Sequence, residues 1–301
     1  MSCQGQMLPV GEADLSRVLS NILQQKIRAM QVTALGSSSR ETPWRVDLET
    51  GKGAEAVLLR LGRSCDANEV VALEAMKNHP LPTPEVLCWD PEGAQLGTPL
   101  FVSTFIEGVP LLDAMKTNNP WADQMYIDTA CAVQSVSEED LPPGRAQKLN
   151  GSESAIEVLE GAYCAFEKPN ALAEAAYLKL KQEQPEFPAN HFSNGDLWPE
   201  NLLLQDQQLV GIIDWQHAGF GDPIYEFLLP FFLVPKLRSR GTEEAYCRRM
   251  GFDPAMLHWY RGLEFFDSLR WVLKTGKPYG IHTAESLGVD LEKWIRDSSY
   301  P

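Results

Sequence analysis

The alternation of apolar and polar residues divides the chain into a strand-rich first third and a helix-rich remainder. Residues 13–27 carry apolar side chains at helical spacing behind Asp14, a suitable N-cap, and predict an amphipathic helix. Three short runs follow, MQVTAL, PWRVDLE and AEAVLLRLG, which are rich in β-branched or alternating apolar residues and are separated by turn-forming residues. They predict a three-stranded antiparallel meander.

The pattern then predicts one helix and one further strand. Residues 67–78 have helical spacing, and the prolines at 80, 82 and 84 predict an extended connector behind them. The segment PLFVSTFIEG at 99–108 predicts a strand. We therefore expect a sheet of these four strands with a single helix packed on it.

From residue 109 onwards the spacing becomes mainly helical. Helical segments cover roughly 111–185 and return most clearly at 254–276. The sequence thus predicts an α+β protein with a small N-terminal sheet lobe at 1–107 and a larger, mainly helical lobe at 108–301.

Composition and charge exclude several function classes. A chain of 301 residues with 44% hydrophobic and 22% charged residues is typical of a globular protein. It has no apolar run of membrane-spanning length and no signal-peptide pattern, so we expect a cytoplasmic protein without a membrane partner. The net charge of -15 and the lack of a basic cluster argue against a nucleic-acid partner. The six cysteines are scattered, which disfavours a zinc site or a disulfide framework.

Candidate chemistry is concentrated in SNGDLWPENLLL at 193–204 and GIIDW at 211–215. The runs NLLL and LVGIID flank a polar turn and predict a β-hairpin preceded by a loop. Asn201 then begins the first strand and Asp214 ends the second, so antiparallel pairing places both at one end, beside Asp196 of the loop. Oxygen ligands of this kind suit Mg²⁺ together with substrate phosphates. The order Asp196, Asn201, Asp214 is the arrangement that kinase chemistry uses, with Asp196 accepting a proton from the attacking hydroxyl.

These motifs resemble those of the aminoglycoside phosphotransferase and choline kinase-like family of small-molecule kinases. NGDLWPEN resembles the HGDxxxxN catalytic loop of that family, IIDW resembles its metal-binding segment, and AGFGDP resembles the GDP that follows. The resemblance spans nearly the whole chain. It implies a bilobal protein-kinase-like fold and Mg²⁺-dependent transfer of phosphate from ATP to a hydroxyl of a small molecule, with GTP as an open alternative donor.

The resemblance also implies roles for individual residues. It makes Asp196 the catalytic base, and Asn201 and Asp214 the magnesium ligands. Arg60 occupies the place of the basic residue that reaches the nucleotide phosphates, and Glu69 that of its helix partner. The remaining implied contacts to the nucleotide come from backbone or hydroxyl groups of Ser38, Ser39, Ser103, Phe105 and Ile106.

Two departures from the family pattern leave an alternative open. Asn194 stands where the family usually has His, and Glu41 stands near the phosphates where Asn is common. They favour a catalytically silent nucleotide-binding protein as the alternative function. A protein kinase is disfavoured because neither a glycine-rich loop nor an activation segment is recognisable.

The helical lobe suggests one hypothesis about the acceptor. Tyr260, Glu264, Asp267 and Trp271 lie at spacings of four, three and four, which places two acids between two aromatics on one helix face. Such a face suits a cationic acceptor through charge and cation–π attraction, although an ordinary mixed surface stripe explains the spacing better. The sequence leaves the identity of the acceptor and the oligomeric state open.

Overall fold

The computed structural model describes residues 8–35, 42–77, 79–144, 146, 149, 153–166, 170–297 and 300. The chain divides into two compact units. The first comprises Met1–Val109, Leu141–Leu149 and Leu203–Gln216, and the second comprises Pro110–Asp140, Asn150–Leu202 and His217–Pro301.

The described chain has a strand-rich first part and a mainly helical second part, in the predicted order. In chain order its regular elements are α1 (Glu12–Leu23), β1 (Ala29–Ala34), β2 (Trp44–Thr50), β3 (Gly53–Leu61), α2 (Ala67–Met76), β4 (Val86–Asp90), β5 (Leu100–Thr104), β6 (Val109–Pro110), α3 (Leu111–Lys116), α4 (Pro120–Gln134), α5 (Ala155–Cys164), α6 (Ala171–Gln182), β7 (His191–Ser193), β8 (Leu202–Gln205), β9 (Gln208–Ile212), β10 (Gly219–Gly221), α7 (Pro223–Leu233), α8 (Thr242–Met250), α9 (Met256–Thr275) and α10 (Ala284–Arg296).

The first unit is built on an antiparallel sheet with the strand order β1-β2-β3-β5-β4. Alternate residues of β2 and of the second half of β3 are buried, and the register sets Val46 opposite Val57 and Leu59 opposite Val102. Helix α1 contributes Leu15 to the same core cluster. The meander of three strands predicted from the sequence is confirmed, and burial of this apolar face is what stabilises it.

The sheet has five strands, so the prediction of four was wrong. The additional strand, β4, pairs with β5 at the edge of the sheet, with an irregularity between Val86 and Cys88. It begins two residues after Pro84, at the end of the segment that was predicted to be only a connector. Its sequence VLCWD lacks a sustained β-branched pattern, and four of its five residues are only partly buried. Pairing with β5 therefore determines its conformation more than local propensity does.

A tight hairpin formed by β8 and β9 confirms the β-hairpin that the runs NLLL and LVGIID predicted. Its turn residues Asp206 and Gln207 both have positive φ, at 50° and 60°. Two left-handed residues in a two-residue loop give the type I′ geometry that matches the twist of paired strands. Asn201 directly precedes the first strand of this hairpin, and Asp214 follows the second strand by two residues.

The second unit is mainly helical and is organised around α9. This helix packs against α5, α6, α7 and α10. A Cβ atom at Gly262 would lie 2.2 Å from the ring of Trp294, so the glycine permits close approach of α9 and α10. Among the described residues, none of the helices combines the length and apolar character that a membrane crossing requires.

Candidate active site

The loop that carries Asp196 depends on a glycine. Gly195 has φ of +77°, and a Cβ atom there would lie 1.9 Å from the carbonyl oxygen of His217. His217 precedes β10, which pairs with β7 so that Gly219 lies opposite Ser193. The approach of these two backbones leaves no space for any side chain, which explains the glycine at the centre of the NGD motif.

Asp196 and Asn201 are brought together as the sequence predicted. Nδ2 of Asn201 donates to the carbonyl oxygen of Asp196 and to its Oδ2, both at 2.9 Å. Because the amide nitrogen is used in these bonds, Oδ1 of Asn201 is the atom that remains to face a ligand. Asn194 is fully buried and donates from Nδ2 to the same carbonyl oxygen at 3.3 Å. The residue that departs from the family pattern therefore still supports the loop.

Glu226 was not predicted from the sequence. It lies on α7, and its side chain binds the loop that carries Asp196. Its Oε1 accepts the backbone N–H of Leu197 at 3.0 Å, and its carboxyl also bonds the Ser193 side chain and the Gly195 backbone. Burial raises the pKa of Glu226 to about 7, and the nearby charge of Asp196 adds to this effect. The signal was present in the sequence, because Glu226 is the single acid in the apolar helix PIYEFLLPFFL. A lone buried acid needs polar partners, and the loop that carries Asp196 supplies them.

Arg60 and Glu69 are also brought together, in the first unit. Nε of Arg60 lies 3.3 Å from Oε2 of Glu69 as an ion-pair contact, and both side chains are largely buried. With its amide oriented so that Oε1 faces Arg60, Gln216 accepts from Nη1 at 2.6 Å. Burial raises the pKa of Glu69 to about 7, Arg60 opposes this rise, and the charge of Asp214 adds to it. Asp214 is therefore close enough to influence this pair electrostatically.

Asp214 has an unusual backbone conformation. Its φ of +61° lies in the left-handed region, which residues other than glycine rarely adopt. Strained backbone of this kind persists only where the surroundings hold it in place, and it is enriched at functional sites.

The residues expected to contact the nucleotide base lie at and beyond the end of β5. Ser103 is buried inside the sheet, opposite Leu58 on one side and Val86 on the other. Phe105 donates its backbone N–H to the carbonyl oxygen of Ala56 at 3.3 Å. A Cβ atom at Gly211 would lie 2.7 Å from the side chain of Ile106, so the hairpin packs closely on that residue. Ser38 and Ser39 lie outside the described residues.

A cavity of about 250 Å³ opens beside Asp196 in the second unit. Its wall includes residues of the loop that carries Asp196, of the segment that leads into α7, and of α9. Its lining residues are Glu153, Val158, Gly195, Asp196, Leu197, Trp198, Gly221, Asp222, Tyr225, Glu226, Leu229, Pro230, Glu264 and Tyr279.

The four residues of the hypothetical cation-binding helix face do not act as one surface. The hydroxyl of Tyr260 donates to Oδ2 of Asp222 at 2.6 Å and is buried, while Asp267 forms an ion pair with Arg270 at 2.6 Å. Of the four, only Glu264 lines the cavity.

No cluster of three or more His, Cys, Asp or Glu side chains in the described part of the chain is arranged to hold a metal ion. Magnesium does not require one, because it keeps several waters and takes one or two protein carboxylates together with substrate phosphates. The amide oxygen of Asn201 and the carboxylate of Asp214 have the chemistry of such a donor set.

Solved structures share this fold along almost the entire chain. A thermostable mutant of the aminoglycoside phosphotransferase APH(4)-Ia, in ternary complex with AMP-PNP and hygromycin B, has a TM-score of 0.66 at 19% identity, and the match covers 96% of this chain and 100% of that one. A protein of Ralstonia eutropha JMP134, described provisionally as an aminoglycoside phosphotransferase, has a TM-score of 0.65 at 13% identity and covers 95% and 96%. Choline kinase LicA of Streptococcus pneumoniae has a TM-score of 0.57 at 16% identity and covers 95% and 98%. At these identities the likeness shows the fold, and it confirms the predicted α+β, kinase-like architecture.

The sequence itself places the chain in a family. No curated protein matches it. The model of the phosphotransferase enzyme family matches residues 53–263, well over half of the chain and all of the segment that carries Arg60, Asp196, Asn201 and Asp214. The chain belongs to the phosphotransferase enzyme family.

Proposed function

We propose that the protein transfers the γ-phosphoryl group of ATP to a hydroxyl of a small molecule, with Asp196 as the catalytic base. The observation that carries this proposal is the hydrogen-bonded pair of Asp196 and Asn201, on a glycine-dependent loop that lines an acidic cavity. Structures of relatives in this fold were determined with AMP-PNP and hygromycin B and with AMP, which supports a nucleotide as the donor.

Each implicated residue has a defined task in this reaction. The oxygen of the acceptor hydroxyl forms a bond to the γ-phosphorus as the bond from that phosphorus to the bridging oxygen of ADP breaks, and the hydroxyl proton moves to Asp196. Asn201 holds the Asp196 carboxylate through Oδ2, and Glu226 holds the loop backbone through Leu197. Positioning of this kind supplies much of the rate acceleration in phosphoryl transfer.

The nucleotide is assigned to the first unit. Arg60, oriented by Glu69 and Gln216, binds its phosphates, because a guanidinium suits phosphate oxygens. Backbone groups at Phe105 and Ile106 are the proposed contacts to the base, and Ser103 supports them from within the sheet. In this proposal the sheet lobe binds the nucleotide and the helical lobe binds the acceptor.

Asn201 and Asp214 are the residues that would hold magnesium. The fit rests on their chemistry, because amide and carboxylate oxygens suit a hard cation and Nδ2 of Asn201 is already used by Asp196. When bound, the ion supplies positive charge that offsets charge on the phosphoryl group.

The test measures ADP release from ATP in the presence of magnesium, with a small-metabolite extract as the acceptor pool. We expect release that requires both the extract and Asp196, with Asp196→Ala lowering kcat by about 10²–10⁴-fold while nucleotide binding is retained. Fractionation of the extract then identifies the acceptor. Equal release from wild type and Asp196→Ala would refute the proposal. Nucleotide binding without release, with GTP and an antibiotic panel also blank, would favour a silent nucleotide-binding protein.

A further inference from the structure

Tyr126 is a fully buried residue of α4 whose hydroxyl group contacts the loop that carries Asp196. The hydroxyl donates to the carbonyl oxygen of Leu197 at 2.9 Å, across 71 residues of sequence, and lies 3.4 Å from the carbonyl oxygen of Phe227. Leu197 is only 2% exposed, and a buried carbonyl group needs a donor. Tyr126 is not among the residues that line the cavity, so any influence on an acceptor held there acts through the loop.

The bond from Tyr126 belongs to a set that fixes two consecutive peptide groups. The first group joins Asp196 to Leu197. Its N–H donates to Oε1 of Glu226 at 3.0 Å, and its carbonyl oxygen accepts from the N–H of Trp198 at 2.6 Å. The second group joins Leu197 to Trp198, and its carbonyl oxygen accepts from Tyr126. All four polar groups are thus bonded, which constrains the backbone on both sides of Leu197 and, through the first group, at Asp196.

The ring of Tyr126 is held by the helix that also carries Glu226. It stacks on Phe227 of α7 with the ring centroids 4.8 Å apart and the planes at 21°, and its centroid lies 6.0 Å from that of Phe231. Glu226 and Phe227 are adjacent in the sequence, so α7 determines the positions of both side chains that bind Leu197. The two hydrogen bonds therefore share one closely packed support.

The hydroxyl group of Tyr126 remains a donor at physiological pH. Burial raises the pKa of Tyr126 well above its ordinary value, and the charges of Glu226 and Asp196 add to this effect. A neutral hydroxyl that donates to a carbonyl oxygen introduces no charge beside the proposed base. Tyr126 is thus suited to fixing geometry and not to transferring a proton.

We propose that Tyr126 is a positioning residue, whose hydrogen bond to Leu197 fixes the direction in which Asp196 faces the acceptor hydroxyl. This inference rests on the proposed phosphoryl transfer. That reaction depends on positioning, and a displacement of a reacting group by about 1 Å costs on the order of 100-fold in rate. Since Tyr126 acts on the loop and the nucleotide is assigned to the first unit, loss of the hydroxyl should lower the maximal rate and leave the KM for ATP unchanged.

Tyr246 offers a closely matched control. It is also fully buried, and its ring stacks on the same Phe227 with the centroids 3.7 Å apart. Its hydroxyl also contacts two acceptors, Oε1 of Gln134 at 2.6 Å and the carbonyl oxygen of Pro223 at 2.9 Å. Neither acceptor belongs to the loop. Tyr126→Phe and Tyr246→Phe both keep the ring and remove a buried hydroxyl, so their comparison separates the loop contact from a general loss of stability.

The first arm of the test measures ADP release from ATP with magnesium and the small-metabolite extract. We expect Tyr126→Phe to lower the maximal rate about 5–50-fold with little change in the KM for ATP. Tyr246→Phe should keep the maximal rate of the wild type. Equal maximal rates in Tyr126→Phe and wild type, equal losses in both variants, or a raised ATP KM at an unchanged maximal rate would overturn the inference.

The second arm needs no turnover and separates this inference from the reaction itself. Hydrogen exchange followed by mass spectrometry measures the backbone amides of residues 193–204 in the full-length protein without nucleotide. We expect them to exchange about tenfold faster in Tyr126→Phe than in wild type or Tyr246→Phe. That result in a protein that releases no ADP with any donor or acceptor tried would support the hold of Tyr126 on the loop, and only the proposed function would fail. Unchanged exchange, or the same change in both variants, would overturn the inference.

Discussion

Leu197 donates its backbone N–H to Oε1 of Glu226 at 3.0 Å, and this bond connects the loop that carries Asp196 to a helix that begins more than twenty residues later. The same carboxyl group is bonded to Ser193 and Gly195, on the other side of Asp196. Glu226 therefore fixes the loop on both sides of the proposed base. In the proposed reaction it would be a positioning residue, because it would act through the loop.

Two replacements of Glu226 should distinguish the effect of its hydrogen bonds from the effect of its charge. Glu226→Ala leaves buried N–H groups without an acceptor, so we expect kcat to fall about 10–100-fold and the protein to lose about 1–3 kcal/mol of stability. Glu226→Gln keeps an acceptor oxygen for Leu197 and should retain most of the activity. Steady-state kinetics and thermal unfolding measure both effects. A rise in ATP KM at constant kcat would contradict a role in positioning the loop.

Gly195→Ala should be far more damaging than a glycine replacement at an open site. The new Cβ atom would lie 1.9 Å from the His217 carbonyl oxygen, so the loop must shift as well as adopt an unfavourable φ. We expect activity to be lost and stability to fall by at least about 2 kcal/mol. Gly251→Ala is the matched control, because Gly251 has φ of +78° and a Cβ atom added there would meet no other atom within 4 Å. It should cost only about 1–2 kcal/mol and leave kcat unchanged. Similar kinetic effects of the two replacements would contradict the close contact.

The sequence predicted those parts of the fold and site that depend on local pattern. Two apolar runs around a polar turn predicted the β8–β9 hairpin. The hairpin in turn predicted where Asn201 and Asp214 lie, before its first strand and after its second. The contact of Asp196 with Asn201 followed from their spacing within one loop. The ion pair of Arg60 and Glu69 was inferred from a family resemblance that extends over both residues.

Features that depend on long-range packing could not be predicted in this way. Strand β4 forms because β5 offers it a partner, and its own sequence is a weak strand former. The role of Glu226 depends on the backbone N–H of Leu197, which only the tertiary fold brings beside it. The four-residue pattern on α9 is regular in sequence, yet Asp267 pairs with Arg270 and Tyr260 pairs with Asp222. Partners of this kind are determined by tertiary structure.

Arg60→Ala should weaken nucleotide binding without affecting the acceptor. Loss of a charged donor to phosphate costs about 1.5–3 kcal/mol, so we expect ATP KM to rise at least about tenfold. Arg60→Lys keeps the charge but not the forked geometry, and it should show a smaller rise. Arg17→Ala, on the exposed face of α1, is the control and should behave as wild type. Steady-state kinetics at varied ATP and varied acceptor measure the difference. An unchanged ATP KM in Arg60→Ala would limit the Arg60–Glu69 pair to a structural role.

Among the described residues, no hydrogen-bond donor or cation pairs with the buried carboxyl group of Glu264, and this should be visible in the stability of the protein without any substrate. Its pKa in the folded protein is about 8, above its ordinary value of 4.5, so the folded state holds this proton more tightly than the unfolded state. Stability from this group is therefore fully present below about pH 4.5 and is lost as the pH rises towards 8. Asp267, Tyr225 and Tyr279 interact electrostatically with Glu264, and a second cavity that Glu264 also lines carries Arg238, Glu243, Glu244, Arg261 and Asp290.

Glu264→Gln removes this titration and leaves the other groups in place. We expect the variant and wild type to have similar Tm values at pH 5, and the variant to be more stable at pH 8 by an amount on the order of 1–3 kcal/mol, or roughly 3–10 °C. Glu153→Gln is the control, since Glu153 lines the same cavity but is exposed. Thermal unfolding at the two pH values measures the difference. A variant that is less stable than wild type at pH 8 would mean that Glu264 has a stabilising partner, because only a bound cation or donor would make its ionised form favourable.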